Sequence, residues 1–151
     1  MSGRRPPAGA TIRAASAADY PALYAAAAFC SPTARECLPD AVTFATLAEE
    51  VPTLVAVIAD GIVGYLLASP LAYDADAPMS LWLEAVAVVP DWRRRGLATA
   101  LCAAHASASR ALGVRALLAS SSIDPALAAL LACVGFVVHR DGVLLWRLQE
   151  S

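Results

Sequence analysis

The sequence predicts a mixed α/β (α+β) domain, a central and mostly antiparallel sheet flanked by helices, and three observations carry that reading. Helical pattern fills most of the first third of the chain, two β-branched runs meet at Asp60-Gly61, and a strand-helix-strand crossover follows between 81 and 120. A chain of 151 residues suits one domain and buries roughly 70% of the surface that its unfolded form exposes, enough for a core without disulfide or metal. Residues 1–10, with Arg4, Arg5, Pro6 and Pro7, read as a flexible tail, and 11–151 as the domain.

Taken in order, Thr11 to Arg13 makes a short first strand, and Ser16 caps a helix through Leu23 and Phe29. Cys30 to Pro39 reads as a loop and Asp40 to Glu50 as a second helix, closed by Pro52. Thr53 to Ala59 and Ile62 to Ala68 form a hairpin. After a connection from Pro70 to Pro78, Leu81 to Val89 is the next strand, stopped by Pro90. Helical pattern runs from Gly96 to Leu112, Gly113 ends it, and Val114 to Ser120 returns as a strand. Asp124-Pro125 opens a last helix that Gly135 stops, and Phe136 to His139 and Val143 to Leu148 pair around Asp141-Gly142.

Composition excludes several functions. All 11 basic residues are arginine, against 13 acidic ones, so the net charge of -2 leaves no broad footprint for nucleic acid or an anionic membrane. The apolar residues come in short runs, far below the ~20 of a membrane span. Cys30, Cys37, Cys102 and Cys133 lack C-x-x-C spacing, and with only His105 and His139 beside them no metal site is expected. Four thiols without a secretory signal point to a reducing cytoplasm.

Chemistry concentrates between 83 and 99, where Leu83-Glu84-Ala85-Val86-Ala87-Val88-Val89-Pro90 leads through Arg93-Arg94-Arg95-Gly96 into Leu97-Ala98-Thr99. A helix start offers free backbone N-H groups and a positive dipole end, and Gly96 and Ala98 let a ligand approach the main chain. The adjacent guanidinium groups add charge-assisted bonds to phosphate oxygens. The pattern lacks the Gly-Lys-Ser/Thr ending of a P-loop and the three spaced glycines of a dinucleotide fold. A diphosphate fits it.

Arg93-x-x-Gly96-x-Ala98 resembles the (Gln/Arg)-x-x-Gly-x-(Gly/Ala) pyrophosphate motif of the GNAT N-acetyltransferase superfamily, and Leu83-Glu84-x-Val86-Ala87-Val88-x-Pro90 resembles the strand before it. The likeness extends from Ile12-Arg13 to Gly135-Phe136. It implies a single GNAT-like domain whose fourth and fifth strands splay around acetyl-CoA. The backbone of Val86, Ala87 and Val88 would pair with the pantetheine arm, and Arg93 to Thr99, including Arg94, Arg95 and Leu97, would wrap the pyrophosphate. An N-H of that strand, that of Val88, would polarise the thioester. The acceptor implied is a primary amine on a small molecule or protein, and a homodimer is a family-level expectation.

An ammonium near pKa ~10 must lose a proton before it attacks. Alternation places Glu84 on the strand face of Val86 and Val88, so it is the candidate base, working through water; the alternative is a solvated strand carboxylate. Two positions depart from the family. The tyrosine that protonates the leaving thiolate in many relatives falls at Leu131, and the asparagine near the start of the last helix is Asp124, retained as a cofactor-side candidate. Cys133 and His105 read as packing residues. Glu36, Asp40, Asp74 and Asp76 lie in two loops where they could attract a cationic acceptor, with ordinary loop solubility the favoured reading. An active N-acetyltransferase and a noncatalytic acyl-CoA-binding module both fit, and retained Glu84 favours the enzyme.

Overall fold

The computed structural model describes residues 7–31, 34–71, 80–120, 125–140 and 142–148. Among these described residues seven strands form one sheet: β1 (Thr11–Ala14), β2 (Leu54–Ile58), β3 (Gly61–Leu71), β4 (Ser80–Val88), β5 (Ala116–Ser120), β6 (Val137–Arg140) and β7 (Val143–Arg147). Their order is β1-β2-β3-β4-β5-β7-β6. Among the described strands only β4 and β5 pair in parallel, because α3 (Leu97–Ala111) carries the chain across between them. The remaining helices are α1 (Tyr20–Cys30), α2 (Ala41–Glu50) and α4 (Pro125–Val134).

Two cores cover the two faces. Leu23 and Ala27 of α1 and Phe44 of α2 pack with Val55, Tyr65 and Leu67, while Leu97, Leu101 and Leu131 from α3 and α4 pack with Leu66, Ala68 and Val88. Alternation along β3 makes this division, since Tyr65 and Leu67 point to one face and Leu66 and Ala68 to the other. A fully buried leucine such as Leu101 contributes about 1.5–3 kcal/mol by burial.

Three local expectations need correction. A 3-10 turn, Ala17–Asp19, precedes α1, because Asp19 is drawn to Arg13 at 2.8 Å and accepts from the Ser16 N-H. The hairpin turn lies at Ala59-Asp60, both at positive φ (51° and 66°), with Gly61 already paired to Ile58. This two-residue loop matches the strand twist, which makes a left-handed alanine tolerable. Cys133 is exposed rather than packed, since α4 turns Leu130, Leu131 and Val134 to the core.

Gly135 ends α4 at φ 139°, where a Cβ would lie 2.6 Å from Trp146 Nε1. The Gly-Phe step is therefore a packing requirement, with the Phe136 and Trp146 rings 5.7 Å apart.

His105 on α3 is buried and, like the Ser109 hydroxyl one turn on, makes no side-chain hydrogen bond. Burial pushes its pKa down from 6.5 to about 4. A lowered folded pKa means that the unfolded chain binds the proton more readily. Stability is therefore expected to fall as pH drops from about 6.5 to about 4, by up to ~3 kcal/mol. Denaturant melts across this range should show the slope, and His105→Leu should flatten it. An unchanged slope would place the acid sensitivity elsewhere.

Candidate functional site

The site begins where two strands part. β4 pairs with β5 only through Ser80, Leu81 and Trp82, the last opposite Leu118, whereas β4 continues to Val88. From Leu83 onward the β5 side of β4 is open. The Val89 N-H donates to the Val63 carbonyl at 2.8 Å, and Val88 lies opposite Gly64. Antiparallel alternation then directs the N-H and C=O groups of Val86 and Val88 away from β3, into the gap. Those of Ala87 face Tyr65 instead. Two of the three expected backbone positions thus offer polar groups to an extended ligand.

The gap leads to the arginine turn. A 3-10 turn, Pro90–Trp92, follows β4, Arg94 has φ 64°, and Gly96 caps α3 at φ 85° with no side-chain cap. The first helical bond runs from the Ala100 N-H to the Gly96 carbonyl, so the N-H groups of Leu97, Ala98 and Thr99 precede the helical ladder. The Leu97 side chain is buried in the core and anchors the turn. Arg95 stacks over Trp92, its guanidinium carbon 4.8 Å from the ring centroid. The Arg93 guanidinium reaches inward, donating to the Val88 carbonyl at 2.8 Å and to that of Cys30 at 2.6 Å. A glycine in the left-handed region, three leading N-H groups and clustered cations fit a diphosphate.

Glu84 stands elsewhere than alternation suggests. Leu67 pairs with Ala85 and Ala68 with Leu83, so Glu84 is the extra residue of a β-bulge. Its Oε2 accepts from the Ser69 hydroxyl at 3.0 Å. Ser69 continues the Tyr65 and Leu67 face of β3, so Glu84 faces the α1/α2 side rather than that of Val86 and Val88. The carboxylate is exposed there, on the face against which Ala34 and Leu38 also pack.

The other candidates separate clearly. Leu131 is fully buried. Asp40 caps α2, accepting from the Thr43 N-H at 2.8 Å, and that bond lowers its pKa. Glu36 is exposed. Asp124, Asp74 and Asp76 lie outside the described residues. Burial pushes the Cys30 thiol up, with Arg93 opposing. Among the described residues no group of three His, Cys, Asp or Glu side chains is placed to hold a metal ion. No described helix is long and apolar enough to cross a membrane. Sequence reasoning missed Ser69 and the Cys30 carbonyl, because a single serine and a main-chain oxygen leave no pattern.

A profile of the acetyltransferase (GNAT) domain matches residues 49–138, more than half of the chain and all of the strand and turn just described. Curated protein sequences gave no match. Among solved structures, the fold is similar to that of the ribosomal-protein-S18-alanine N-acetyltransferase from Escherichia coli, with TM-score 0.72, 21% identity and coverage of 94% of this chain and 96% of that one. It is also similar to the GNAT family N-acetyltransferase YhbS from Escherichia coli in complex with CoA, with TM-score 0.74, 22% identity and coverage of 98% and 86%. The PaiA N-acetyltransferase from Thermoplasma acidophilum in complex with coenzyme A gives TM-score 0.75 at 13% identity, covering 91% and 98%. At these identities the likeness is one of fold.

Proposed function

The chain belongs to the GNAT acetyltransferase family, and from that premise we propose that it is an N-acetyltransferase moving an acetyl group from acetyl-CoA to a primary amine. The observation that carries this reading is the open edge of Val86 and Val88 running into the Gly96 helix start. An extended amide-bearing arm pairs with the first, and a diphosphate with the second.

Acetyl-CoA is the acyl donor and supplies the thioester. The amine nitrogen forms a C-N bond at the thioester carbonyl, the C-S bond breaks, and CoA leaves as a thiolate that solvent protonates. The Val88 N-H is suited to hydrogen-bond the carbonyl oxygen as charge develops there, a contribution of about 3 kcal/mol for one such donor. Glu84, held by Ser69, takes the amine proton through water from the acceptor side of the sheet.

The buried leucine at 131, which has no proton to give, favours a second reading, a noncatalytic acyl-CoA-binding module. An amine panel assayed for free CoA release, with acetyl-CoA and longer acyl donors, decides between them. Saturable turnover is expected; tight CoA binding without turnover on any amine would establish the module. Calorimetry should show CoA bound far more tightly than pantetheine, and equal affinities would remove the diphosphate from the site.

A further inference from the structure

The two hydrogen bonds of Arg93 tie together parts of the chain far apart in sequence. Cys30 is the last residue of α1, and its carbonyl belongs to the last turn, whose oxygens have no intrahelical donor. Val88 is the last residue of β4, and its carbonyl faces the gap. One guanidinium satisfies both, at 2.6 and 2.8 Å, and places a cation at the negative end of the α1 dipole. Further along the chain, Ala34 and Leu38 of the acceptor-loop candidate pack on the Glu84 face of the sheet.

We infer that Arg93 is a positioning residue that fastens the mouth of the acceptor loop to the end of the donor strand, and that the diphosphate is held without its side chain. This rests on the donor-site reading above. Its Nε and Nη2 are committed to carbonyl oxygens, so diphosphate capture at the turn falls to the N-H groups of Leu97, Ala98 and Thr99 together with the neighbouring arginines. Binding of the donor would then order the acceptor side through a main-chain link. Lysine, a point donor without the planar fork, holds one carbonyl and not both.

The test compares Arg93→Ala, Arg93→Lys and Arg95→Ala with the wild type by amide hydrogen exchange and by calorimetry with CoA and with pantetheine. In Arg93→Ala, exchange at the end of α1 and through 34–37 is expected to rise about tenfold, the loss of one charge-assisted bond. Arg93→Lys should recover part of the protection, and Arg95→Ala should leave it intact. The ratio of CoA to pantetheine affinity should stay at its wild-type value in Arg93→Ala. With an accepted amine, the acceptor KM should rise and the acetyl-CoA KM should not. A ratio that collapses about tenfold would make Arg93 a phosphate ligand and overturn the inference, as would unchanged exchange at the end of α1. Should Arg93→Ala not fold, Arg93→Gln, able to donate to one carbonyl, carries the same comparisons. Equal binding of CoA and pantetheine by the wild type would sink the donor site itself, while the exchange experiment would still decide the role of Arg93.

Discussion

Replacing Glu84 with glutamine is expected to slow acetyl transfer by ~100-fold to ~10,000-fold while leaving CoA affinity and the fold intact, the range of general-base contributions. The amide is nearly the same size as the carboxylate, and its oxygen still accepts from Ser69, so the bulge survives. What is lost is the ability to take a proton. The deficit should be largest where the amine is still charged, and raising the pH should recover part of the rate as the free amine accumulates. Pre-steady-state CoA release on an acceptor of ordinary basicity measures this. A folded variant with wild-type turnover at every pH would remove Glu84 from the mechanism and leave the donor site untouched.

The alternation of Val86 and Val88, the arginine turn and the glycine at the helix start were legible in the sequence because each rests on local rules. Strand period, helix caps and the cost of a left-handed backbone act over a few residues. Glu84 shows where that reach ends. One residue inserted against β3 reverses the face of everything before it, and the insertion depends on which residue of β3 pairs with Leu83. Nothing in Leu83-Glu84-Ala85 announces it. The corrected face is the one against which Ala34 and Leu38 also pack, and it leaves the side chains of Val86 and Val88 to the α3 core.

Arg93 illustrates a second limit. Its neighbours in sequence and its place in the motif point to phosphate, and nothing in them announces the two carbonyls that its guanidinium reaches, one of them 63 residues away. Residue type reports what a side chain offers. Only tertiary structure decides which acceptor takes it. The expectation for Cys133 fails outright, for free cysteine favours burial in general and the phase of α4 points this one outward.

Substituting valine for Gly96 is expected to abolish most of the CoA affinity, a loss of about tenfold or more, through the backbone rather than through any side-chain contact. Gly96 has φ 85° and ψ 4°, a conformation that costs a β-branched residue about 1–2 kcal/mol or more. The chain relieves the strain by moving the turn, which re-aims the N-H groups of Leu97, Ala98 and Thr99. An anion site made of aligned donors loses its binding when they are turned away, and the valine side chain also fills the space through which phosphate oxygens approach. Strain alone would lower stability anywhere, so the control is Gly142→Val. That residue has a comparable φ of 78°, with open space where its Cβ would lie, in the hairpin between β6 and β7. Both variants should melt at lower temperature than the wild type, and only Gly96→Val should bind CoA weakly in calorimetry. If folded Gly96→Val binds CoA as the wild type does, the diphosphate does not lie on the start of α3. If Gly142→Val loses affinity equally, the effect belongs to global destabilisation and not to the turn.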